Sequence, residues 1–304
     1  VTLVRTRAVK VGRHVRATYE GRWDRYWLLG PLVAFLVLSL GFPLITDLVY
    51  SVSDISFTAL WSPHWAGLAN YSAVATDPVF WQAAGFSLRF AVIATIAEVC
   101  IGFILVLVLS PLLEKHGWLM AFLVLPMMIS PALIGIMYRL MLNDFVGVVP
   151  QYLGMLGIDV ELLGPDWVFT TLVTIEILQW IPFALLALLT AYQSIPGELL
   201  EAARIDGGGA FAVFRFVTWP IMIPALAITT FIRFIDSFRV FDHIYVLTGG
   251  GPGTMTTSVS LYIYKEFFEQ QRIGMAVAAS MFLLLGSVLV LRLAMVWVLR
   301  GAGS

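Results

Sequence analysis

Long apolar runs separated by short polar connections make up most of this chain. Six of them, at approximately 27–50, 88–112, 118–142, 167–191, 220–245 and 275–299, carry few charges. A bilayer core about 30 Å thick is crossed by a helix of roughly 20 apolar residues, so each run is long enough to span one. The runs are continuously apolar, whereas strands of a membrane barrel would alternate in polarity over about ten residues. The pattern predicts an all-α integral membrane protein with six transmembrane helices. Composition agrees, since 60% of the 304 residues are hydrophobic and 12% are charged, about half the charged share of an average soluble domain.

Charge placement predicts the orientation. Arg5, Arg7, Lys10, Arg13, Arg16, Arg22 and Arg25 precede the first run, and basic residues in short loops stay on the cytoplasmic side. Lys115, Arg204, Arg215 and Arg300 then also fall inside, while the outer segments hold Lys265 and Arg272. The expected layout is a basic cytoplasmic segment over 1–26, a membrane domain over 27–299 and a cytoplasmic tail over 300–304. The first run reads as a retained anchor, because it is longer than a secretory signal and no small-residue cleavage pattern closes it. The basic segment reads as a solvated tail or a contact with anionic membrane lipid.

Cys100 is the only cysteine, so no disulfide framework or cysteine metal site is expected within the chain. The formal net charge is −1 and the bases follow topology instead of forming a stripe, which argues for no nucleic acid partner.

The internal connection over 194–220 is the most informative. Pro196 suits the first position of a helix, where its missing N–H has no intrahelical partner anyway. Glu198 and Glu201 then favour the positive end of the helix dipole, and Arg204 the other end. Leu199, Ala202, Ala203 and Asp206 share one shallow side. Gly207, Gly208 and Gly209 end the helix, a second short helix with Phe211, Phe214 and Val217 follows, and Pro220 opens the fifth span. Physical chemistry leaves two readings open: a docking element, or an amphipathic helix lying on the membrane surface.

Glu201-Ala202-Ala203, three residues, Gly207, nine residues and then Val217-Thr218-Trp219-Pro220 resemble the EAA signature of ABC importer permeases. The spacing matches, with Val217 in place of isoleucine and Trp219 in place of leucine. The stretch 241–252, with Tyr262, Tyr264 and Gly274, is similar to the carbohydrate permeases of the maltose, trehalose and glycerol-3-phosphate importers. Shorter echoes stand at 67–71, at Asp77-Pro78 with Phe80-Trp81, and at Leu125-Pro126. The glycine-rich run over 249–253 lacks the Gly-Lys-Ser/Thr ending of a phosphate loop and reads as a tight external turn.

The resemblance implies the type I importer architecture, with both termini cytoplasmic, in a bacterial or archaeal cytoplasmic (inner) membrane. It implies a permease that forms half of a translocation pathway for a sugar or sugar-like solute and works by alternating access. The implied partners are a second homologous permease subunit, two ATPase subunits, and a periplasmic or lipid-anchored solute-binding protein. No catalytic motif is present, so the chain is not expected to be an enzyme or to bind a cofactor itself; ATP and Mg belong on the partner ATPase. By resemblance Glu201 is a polar anchor to that ATPase, Ala202 and Ala203 give close contact beside Asp206, Gly207 makes the turn, and Pro220 closes the signature.

Ionisable residues inside spans need partners or a polar cavity. Arg233, Asp236, Arg239 and Asp242 alternate in sign at three-residue steps, so neighbours can pair. On one straight helix three such steps swing the face by about half a turn, and the four cannot all line one pore. Structural pairing and a part in the solute path both stand. Glu98 and Glu176 stand nearer to alone, each a candidate for a buried hydrogen bond to a neighbouring helix. A sugar offers apolar faces and polar edges, which suits pairs such as Gln179 with Trp180, or Tyr138 with Asn143. Trp27, Trp118 and Trp167 fit interfacial anchors. An importer for another solute and, from a different class, an autonomous secondary transporter or a membrane scaffold are the competing readings.

Overall fold

The structure is a computed structural model that describes residues 22–58 and 60–302. The bases from Arg5 to Arg16, most of the expected segment 1–26, and the last two residues of the expected tail lie outside the described residues. Helix α1 (Arg22–Leu36), a wide π turn (Val37–Gly41) and α2 (Phe42–Ser51) run on as one rod. The wide turn precedes Pro43, whose ring would press on the carbonyl four residues back in a regular helix. A two-residue ladder, β1 (Ser53–Asp54) against β2 (His64–Trp65), follows and is an addition to the expected all-α fold.

Helix α3 (Ala69–Thr76) leads into the long α4 (Pro78–Lys115). Pro78 occupies its first position, and Asp77 Oδ1 caps it by accepting from the Val79 N–H at 2.8 Å. Two of the echo motifs, 67–71 and Asp77-Pro78, are joints at this end. Asn70 Nδ2 donates to the carbonyls of Ser51 and Ser53, Tyr71 donates to Ser51 Oγ, and Tyr262 donates to Asp77 Oδ2 at 2.7 Å. Burial, and then Asp77, push the Tyr262 hydroxyl above its ordinary range.

The expected third span is not one helix. It consists of α5 (Gly117–Met128) and α6 (Pro131–Met141), bent by 81°. Pro131 disfavours the helical region for the residue before it, and Ser130 accordingly takes φ −56°, ψ 133°, with Ile129 extended too. After α7 (Val148–Met155), α8 (Val168–Gln193) returns as a second long rod. Then come α9 (Gly197–Ile205), α10 (Ala210–Val213), a π turn (Phe214–Thr218) and α11 (Trp219–Phe238). Pro220 therefore does not open a separate span, because one helical rod runs from Ala210 through it, and the π turn relieves the crowding that its ring would cause.

The chain ends in α12 (Asp242–Leu247), α13 (Val259–Tyr264), a π turn (Lys265–Glu269) and α14 (Ile273–Ala302). By length and composition four rods can cross a membrane, or five with the bent pair, and the last helix adds the shorter apolar stretch Ile273–Leu289.

The most extensive packing is α4 against α8, with α11 laid on both. At Gly102 a Cβ would stand 2.8 Å from Ala184 Cβ, so only glycine allows the two helices to close there. Two apolar clusters form along these helices. One gathers Phe86, Phe90, Leu172, Ile175 and Ile244, and the other Val99, Phe103, Leu185, Leu188 and Met222. Between them in sequence, on all three helices, sit Glu98, Glu176 and Arg233.

Candidate functional site

Arg233 is 1% exposed and Glu98 is fully buried. The guanidinium donates through Nε to Glu98 Oε2 at 2.6 Å and through Nη2 to Glu98 Oε1 at 3.1 Å and Glu176 Oε1 at 3.0 Å. Its face lies over the Trp180 ring, 4.6 Å from the centre. Glu98 and Glu176, which looked isolated in sequence, thus share one cation from a third helix. Planar, forked guanidinium geometry suits this double pairing better than an ammonium would.

The layer continues to the break between α5 and α6. Gln179 Nε2 donates to the Ile129 carbonyl, one of the groups at the break, at 3.0 Å. Its Oε1 is then the acceptor, and His243 Nε2, 2.6 Å away, is the donor. His243 Nδ1 faces Glu176 Oε2 at 3.1 Å, an oxygen with no other hydrogen-bond partner among the described residues. Replacing Gln179 with leucine would strand the Ile129 carbonyl and the His243 N–H. The expected loss is about 1–3 kcal/mol for each group left unpaired, read as a lower melting temperature of the purified protein.

A polar cavity of about 120 Å³ opens beside this layer, lined by Pro131, Trp180, Asp236, Arg239, Phe241 and Asp242 together with Glu176, Arg233 and His243. Arg233, Asp236, Arg239 and Asp242 all border it, against the straight-helix expectation. The helix is interrupted between Phe238 and Asp242, so one continuous helical repeat does not set the faces of the last members. Asp236 and Arg239 are about half exposed and pair at 3.4 Å. Phe241 stacks on Tyr245 at 5.2 Å, and Tyr264 closes on both rings.

Of the candidate solute-path residues, Trp180, Arg233, Asp236 and Arg239 meet at this cavity, and Gln179 stands behind it. Tyr138 packs instead on the first apolar cluster, and Asn143 Oδ1 accepts from the N–H groups of Phe145 and Val146 in the turn after α6. Sequence reasoning passed over His243 and Pro131. His243 lay within the quoted stretch 241–252, and Ser130-Pro131 was a legible breaker.

The second site is the corner around α9. Pro196 sits one residue outside the helix, as its N-cap, and Gly197 begins it. At the other end Gly208 N–H donates to the Ala203 carbonyl and Gly207 N–H to the Arg204 carbonyl, the paired bonds of a Schellman turn. Gly207 has φ +86°, which L side chains rarely adopt. Gly207→Val is expected to weaken this end by about 1–2 kcal/mol; hydrogen exchange of α9 amides should quicken, and unchanged exchange would show that the turn does not need glycine. Glu201, Ala202 and Asp206 are exposed, Ala203 is half-buried, and Ile205 is 85% exposed.

Residues 26–300 match the family model described as binding-protein-dependent transport system inner membrane component. The trehalose/maltose transport system permease protein of Thermococcus litoralis is 32% identical over 263 residues, covering 85% of this chain and 88% of the relative. The diacetylchitobiose uptake system permease protein of Streptomyces coelicolor is 32% identical over 277 residues, 88% of this chain and 84% of the relative. Among solved structures, a chain of a bacterial ABC transporter involved in the import of the acidic polysaccharide alginate superposes with a TM-score of 0.77 at 22% identity, over 96% of this chain and 99% of that one. That likeness concerns the fold.

Proposed function

This chain belongs to the binding-protein-dependent transport system inner membrane components, and from that premise we propose that it is the permease of an ATP-driven ABC importer for a sugar or sugar-like solute. In this reading it crosses the membrane six times with both termini in the cytoplasm. It forms half of a pathway with a second, related permease. Two ATPase subunits carrying ATP and Mg drive it between inward-facing and outward-facing states, and a solute-binding protein delivers solute from outside.

The observation that carries the reading is the α9 corner. A short helix with small residues on its exposed side, held by a glycine turn against α10, is left uncovered by the described chain. Such a rigid knob can enter a groove on an ATPase and transmit its movement through the rod from Ala210 to the polar layer on α11. Glu201 is the polar anchor, Ala202 and Ala203 permit close approach, Asp206 and Gly207 shape the turn, and Pro220 lies where the π turn passes into the span. The sugar assignment draws on the trehalose/maltose and diacetylchitobiose relatives. It also draws on the Trp180 and Phe241 rings beside carboxylates and a guanidinium, since apolar faces and polar edges are what a pyranose presents.

The test is to purify the tagged protein with its natural partners, identify the subunits, and measure which solutes stimulate ATP hydrolysis once loaded on the copurified binding protein. Copurification of an ATPase with sugar-stimulated hydrolysis is the expected result. Solute uptake by this chain with no ATPase present would overturn the reading.

A further inference from the structure

We propose, on the reading that the polar cavity lies on the solute path, that it admits uncharged polyhydroxylated solutes and excludes those bearing a carboxylate, phosphate or sulfonate. Arg233 is held through Nε and Nη2 by Glu98 and Glu176, its Nη1 stands 3.8 Å from Asp236 Oδ2, and it is 1% exposed. Arg239 is exposed, but its guanidinium stands 3.4 Å from Asp236 Oδ1. Asp242 is exposed and has no ionic partner among the described residues.

Three carboxylates, Glu176, Asp236 and Asp242, line the cavity with two guanidiniums, Arg233 and Arg239, and Asp242 at the open side is the carboxylate left without an ionic partner among the described residues. An anionic solute meets that charge in a partly desolvated site and finds no free cation. To use Arg239 it would have to share that guanidinium with Asp236, and Arg233 is buried behind the carboxylates that it holds. A hydroxylated solute needs neither. Its O–H groups donate to Asp236 and Asp242, and its C–H faces lie on Trp180 or Phe241.

The experiment uses the assembled complex in lipid nanodiscs without the binding protein, so that selection by the latter does not enter. Binding of maltotriose and of trigalacturonate is measured by equilibrium dialysis. Maltotriose is expected to bind at least about 10-fold more tightly, equivalent to about 1.4 kcal/mol, and Asp242→Asn to narrow that gap. Equal affinities, or tighter binding of trigalacturonate, overturn the proposal. So does binding of neither trisaccharide, an outcome that leaves the permease reading to the copurification and ATP-hydrolysis assay. Unaltered discrimination in Asp242→Asn, with normal elution on size exclusion, also overturns it.

Discussion

Arg233→Leu is expected to destabilise the protein by about 3–5 kcal/mol, the range found when one partner of a buried ion pair is removed. The guanidinium holds two buried carboxylates from different helices, Glu98 on α4 and Glu176 on α8. Without it both are left in a layer flanked by apolar clusters, with His243 near only one of them. The melting temperature of the purified protein should fall by several degrees, and adding Glu98→Gln should restore part of the loss by removing one stranded charge. A melting temperature within about 2 °C of the parent would mean that water or a partner group compensates the carboxylates.

Glu201→Lys is expected to reduce solute uptake by about 30-fold or more, as loss of an interface anchor worth at least ~2 kcal/mol would. The chain itself should tolerate the change. Glu201 is exposed and makes no hydrogen bond or ion pair among the described residues, and reversing one charge on a short helix alters its own stability by less than about 1 kcal/mol. Membrane insertion and melting temperature should therefore stay near those of the parent while solute-stimulated ATP hydrolysis drops. Normal uptake would count heavily against a docking role for α9. A fall in melting temperature equal to that of Arg233→Leu would instead make Glu201 a structural residue.

The α9 corner was legible because its determinants are local. Helix start, dipole-matched charges and the glycine stop lie within about a dozen residues, and a left-handed turn after a helix has few residues that can make it. The long rods were legible for a similar reason, since continuous apolarity over some 20 residues admits little besides a membrane helix. The break between α5 and α6 was local too, at Ser130-Pro131, but lay inside an apolar run where hydropathy alone does not register it.

The polar layer could not be read the same way. Arg233 and Glu98 are 135 positions apart, Arg233 and Glu176 are 57 apart, and Gln179 and Ile129 are 50 apart. Which charges pair depends on how α4, α8 and α11 are turned about their axes, and the Gly102–Ala184 contact and the apolar clusters settle that together. From its sequence alone this chain shows long apolar helices and a docking corner, because both follow from composition and from neighbours along the backbone. The tertiary structure alone decides that Glu98 and Glu176 share Arg233 and that residues from α8, α11 and α12 border one cavity, because those contacts exist only after distant helices have packed.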